Sequence, residues 1–141
     1  MRRTGPVIAA ITASFALLGG CGAVKATASA GHPAEKLTTV GPGIIEVALT
    51  EEVAKNIGVT SAPVVAGESG LLIPTSAIIY RPDGTSWVYT VVRPNTFVRA
   101  AITVADDTGE ATLLSSGPPA GTLVVSRGVS LIYGTEFKIG K

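Results

Sequence analysis

Glycine and proline recur so often after Ile44 that the apolar residues are cut into runs of about four to eight, too short for ordinary helices and right for strands. Ile44–Leu49 (IIEVAL) is the first such run. Thr50 can then cap a turn or two of helix, because Glu51 and Glu52 suit the positive end of its dipole. Val53 and Ile57 would share one helix face, with Gly58 as the C-terminal stop. Val59–Val65 returns to extended chain. Leu71–Ile73 runs into Pro74, which has no N–H to donate and marks a strand edge or end.

Thr75–Tyr80 reads as another β run, and Arg81-Pro82-Asp83-Gly84 as a turn in which Pro presets φ and Gly accepts a positive one. Trp87–Arg93 (WVYTVVR) is the strongest strand signal, with Trp87, Tyr89 and Val91 on one face. Phe97–Val104, Ala111–Leu114 and Thr122–Ser126 follow, separated by turns at Asp106–Gly109 and Ser116–Gly121. The expected fold is all-β, a mainly antiparallel small barrel or sandwich with one short helix, spanning residues 44–139. With 46% hydrophobic and only 15% charged residues, the chain has the apolar content for a packed core and not the composition of a disordered protein.

Residues 1–43 read differently. Arg2 and Arg3 precede a twelve-residue apolar run, Val7–Leu18, of the length of a signal-peptide core and short of the ~20 residues that span a bilayer. The run closes on Leu18-Gly19-Gly20-Cys21, which resembles the bacterial lipobox. Small residues before the cysteine would admit a peptidase, and the thiol would take a diacylglycerol. Two acyl chains hold a protein to a bilayer stably where one is marginal. The competing readings are cleavage after Ala28-Ser29-Ala30, twelve residues beyond the apolar core, and an uncleaved helix, which would have to contain Gly19, Gly20 and Gly22. The expectation is therefore a signal peptide over 1–20, lipid attachment at Cys21, and a flexible linker over 21–43. The location that follows is the extracytoplasmic face of the cell membrane.

The remaining chemistry is sparse. One cysteine excludes an internal disulfide and any multi-cysteine metal site. Without Arg2 and Arg3 there are nine Lys and Arg against ten Asp and Glu, so nothing favours a nucleic-acid partner. Arg81, Arg93, Arg99 and Arg127 are spread singly through strand-like segments and read as solvated positions. His32 stands in the linker without a companion ligand. Asp106 and Asp107 read as a solvated loop, with weak calcium binding as the other use. No nucleophile elbow, phosphate loop or zinc helix is present, so no catalytic residue, metal or cofactor is expected. Trp87 and Tyr89 could stack a ligand or meet a partner, although a cross-strand aromatic pair explains the same alternation.

The stretch Leu72–Ile79 (LIPTSAII), then Gly84–Val91 (GTSWVYTV), resembles the membrane-proximal end of the periplasmic adaptor, or membrane fusion protein, family of efflux transporters. Phe97–Val104 and Ala120–Gly128 (AGTLVVSRG) are similar to that family's following strands, in the same order over about 70 residues. Only five residues join Val65 to Leu71, where the family inserts its lipoyl domain, its helical hairpin and much of its barrel. The resemblance implies a membrane-proximal adaptor module rather than a whole adaptor. Its expected role is a non-catalytic lipoprotein docking on an exporter, permease or other membrane protein, through strand edges and the Trp87 and Tyr89 region. The alternative is an envelope-structural or small-ligand-binding lipoprotein.

Overall fold

A computed structural model describes residues 35–138, and within them the chain begins as a hairpin. β1 (Glu35–Gly41) pairs antiparallel with β2 (Ile44–Leu49) across the turn at Pro42 and Gly43. The linker expected over 21–43 therefore stops short, since Glu35–Gly41 is a strand of the sheet and residues 42–43 are its turn. Their strand escapes pattern reading because Leu37 alone packs against the core, and the ladder to β2 supplies the rest of the hold. The signal peptide, Leu18, Gly19, Gly20, Cys21 and His32 lie outside the described residues.

α1 (Glu51–Ile57) has the expected ends. The Val53 N–H donates to Thr50 Oγ1, and Gly58 takes the left-handed conformation, φ 70°, while its N–H returns to the last turn. β3 (Thr60–Pro63) and β4 (Val65–Ala66) form one bent strand around Val64, and β5 (Leu71–Pro74) follows. The β run expected over Thr75–Tyr80 is different. Thr75–Ala77 is a 3₁₀ turn, closed by the Ile78 N–H on Thr75 O, and only Ile79–Tyr80 remains as strand β6. Pro74 ends the ladder there, and Thr75 turns its hydroxyl to that of Thr112, 2.9 Å away.

β7 (Ser86–Arg93) and β8 (Thr96–Asp107) make the central hairpin, followed by β9 (Ala111–Ser116), β10 (Leu123–Arg127) and a second helix, α2 (Val129–Glu136). β8 runs on through Asp106 and Asp107, which pair with Leu113 and Thr112, so the expected turn begins only at Thr108.

Every pairing is antiparallel, in the order β3-β10-β7-β8-β9-β5-β4. Because β3 and β4 adjoin through Val64, that order nearly closes on itself as a barrel. The Val64 N–H donates to Thr122 O and the Gly121 N–H to Val64 O, both at 2.8 Å, which carries the wall across the bend. β2 is added to the first part of β8, and β6 to the start of β7.

Alternation along β7 and β10 creates two cores. Val88 and Val124 face the barrel interior with Val64, Ile73, Ala77, Ile102 and Leu114. Their neighbours Tyr89 and Val125 face outward and are covered by Ala54 of α1, Val129 and Ile132 of α2, and Val47 and Leu49 of β2. Each fully buried Val, Leu or Ile contributes about 1.5–3 kcal/mol, so both layers matter to stability. Gly128 lets α2 turn back closely: its φ is +86°, and a Cβ there would lie 2.9 Å from Ile57 Cγ2.

Candidate functional site

β7 and β8 set Tyr89 opposite Arg99 and Trp87 opposite Ala101. Trp87 and Tyr89 thus share the outer face, as their alternation predicts. Tyr89 is not available to a partner, however, because it is wholly buried beneath α2. Its hydroxyl donates to Glu136 Oε2, and Arg99 Nε donates to both oxygens of the same carboxylate, at 3.0 and 3.1 Å. Arg99 Nη2 reaches Gly43 O at 2.8 Å, which ties the β1–β2 turn to the group.

Arg99 therefore corrects the reading of solvated arginines. Arg81 and Arg93 do hold surface pairs, with Asp83 and Glu46, but Arg99 is buried with its counter-ion. Burial, first, and then the neighbouring Glu136 carboxylate hold the Tyr89 hydroxyl well above its ordinary pKa, so it remains a donor. Glu136 was missed because the chain after Arg127 shows no strong strand or helix pattern. Its signal is the spacing of Val129, Ile132 and Glu136, which lies on one helical face.

Trp87 sits at the rim of this group. The Arg99 guanidinium lies 4.5 Å from the Trp87 ring and 5.1 Å from that of Phe137, within cation–π range of each. The indole Nε1 donates to Thr85 Oγ1 at 2.8 Å, and Thr85 is held through both its hydroxyl and its N–H by Asp83 Oδ1. These hydrogen bonds from Thr85, ahead of the nearby Arg81 charge, lower the Asp83 pKa. Beside the indole lies a groove of about 490 Å³, bordered by Thr85, Ser86, Ala101 and Thr103.

A second surface lies on the β3/β4, β5 and β9 wall. Register places Leu123 opposite Pro63, Val65 opposite Leu72, and Leu72 opposite Leu113. Inward residues of these strands, Val64, Ile73 and Leu114, fill the barrel, so the alternate ones make an outward apolar stripe. Val65 is 52% and Leu123 43% exposed. Pro63 and Pro74 have no N–H to join their strands, and between them opens a shallow depression of about 460 Å³ with Val65 and Leu72 in its wall. The stripe sets exposed apolar side chains beside a lapse in the ladder, with Glu110 also bordering the depression.

Comparison with protein-family models, with curated proteins and with solved structures found no match to this chain.

Proposed function

We propose that the chain is a lipid-anchored extracytoplasmic module, adaptor-like and non-catalytic, that docks on an integral membrane protein such as an exporter or permease. The observation that carries this reading is the apolar stripe of Leu123, Pro63, Val65 and Leu72. Helices cover Tyr89 and Val125 on the outer face of β7 and β10, whereas Leu123 and Val65 remain exposed among the described residues.

Chain length supports an occupant at the membrane. Cys21 and Glu35 are fourteen residues apart, and at about 3.3–3.6 Å per residue the domain stays within ~50 Å of a lipid at Cys21. Membrane proteins with extracytoplasmic surfaces lie within that radius. Confinement raises local concentration, so a modest apolar contact suffices for docking. The resemblance to efflux adaptors points to the same class of partner. Lipid attachment is tested by mass spectrometry of the protein from membranes. A diacylated N-terminal Cys21, with release into the soluble fraction on Cys21→Ala, supports the reading. An unmodified secreted chain sinks it.

A further inference from the structure

We infer that the groove beside Trp87 binds a neutral saccharide, with a pyranose ring stacked on the indole. The ring is preset for this. Its Nε1 is taken up by Thr85 Oγ1, and Arg99 lies over it, anchored in turn by Glu136 and Gly43 O. A platform held from two sides loses little freedom on binding, and rigid aromatic surface of this kind supports affinity.

The space beside it is made by small side chains. Ala101 is the cross-strand neighbour of Trp87, and Thr103 follows on the same outer face of β8. The volume, about 490 Å³, falls among small-molecule sites, typically ~300–1,000 Å³. The side chains bordering it are hydroxylic or apolar and carry no charge: Thr85, Ser86 and Thr103 beside Trp87, Ala101 and Val104. An anionic or cationic ligand would find no counter-charge in that lining. A polyhydroxylated neutral ring finds the Ser86 and Thr103 hydroxyls for its rim and an aromatic face for its C–H groups, while the Thr85 hydroxyl stays with Asp83 and the indole.

β7 begins with Ser86 opposite Ile102, so its ladder with β8 ends there, beside the Thr103 and Val104 that border the groove. The site is on the outer wall of β7 and β8, and its occupancy is independent of docking through the stripe.

Trp87 is the only tryptophan, so its emission reports the groove directly. The full chain, in a detergent without a sugar headgroup, would be titrated with linear N-acetylglucosamine trimer and with maltotriose. A saturable change in emission with at least one of them is expected. Thr103→Lys, an exposed position that fills the groove without touching the indole's supports, should weaken it at least tenfold with unchanged circular dichroism. Saturation-transfer NMR on Trp87→Phe should retain binding, and on Trp87→Ala should lose it. No response to either sugar at tens of millimolar, or an unchanged titration in Thr103→Lys, would overturn the inference.

Discussion

Arg99 on β8 and Glu136 at the end of α2 form an ion pair sealed from solvent, with side chains 4% and 0% exposed. Both carboxylate oxygens are occupied by Arg99 Nε, and one also accepts from Tyr89. The pair joins three distant parts of the chain: the central hairpin, α2 and, through Gly43, the first turn.

Removing one partner strands the other charge in an apolar layer. Glu136→Ala is expected to cost about 3–5 kcal/mol in urea unfolding. The double change Arg99→Met with Glu136→Leu should recover part of that loss, because no charge is then left buried although the Tyr89 hydroxyl loses its acceptor.

Tyr89 makes stability fall in alkali. Its folded pKa lies above the unfolded value of about 10, so the native state keeps a proton that the unfolded chain releases. The contribution is complete below pH ~10 and is lost as pH rises from there toward the folded value, by up to about 1.4 kcal/mol per unit. Denaturant midpoints measured from pH 8 to 11 should show this decline, and Tyr89→Phe should flatten it.

Gly70 is confined by a neighbour that cannot yield. A Cβ there would stand 2.3 Å from the Leu114 carbonyl oxygen, which is backbone of β9. Gly70→Ala should destabilise the fold by about 1–3 kcal/mol, as overpacking does, measured by thermal unfolding.

Thr50→Ala removes the side-chain acceptor of the Val53 N–H and should cost about 0.5–2 kcal/mol, while Thr50→Ser keeps the cap. Loss of helical ellipticity before global unfolding would report fraying confined to α1.

Much of this fold is legible in the sequence. The bounds of β2 and α1, with Thr50 and Gly58 as caps, follow from local chemistry that tertiary contacts do not override. The same holds for the alternation of Trp87, Tyr89 and Val91 on β7. What escapes is held from a distance. β1 shows a single apolar contact, Leu37, and depends on β2 for its shape. α2 contains Gly134 and the β-branched Val129, Ile132 and Thr135, and its N-cap Gly128 supplies no side-chain bond, so docking on the outer core decides its conformation. The Arg99 and Glu136 pair bridges 37 residues and gives no local sign. Trp87 and its face could be read from alternation, but the burial of Tyr89 could not, because α2 supplies it.

Docking through the stripe is tested most directly by placing a photocrosslinking residue at Val65 in cells that carry the otherwise intact chain. Lys55, exposed on α1, serves as the control position. The account predicts a cross-link from position 65 to an integral membrane protein, absent from position 55 and abolished by Cys21→Ala. No membrane-protein product from position 65, or equal yields from both positions, would contradict it.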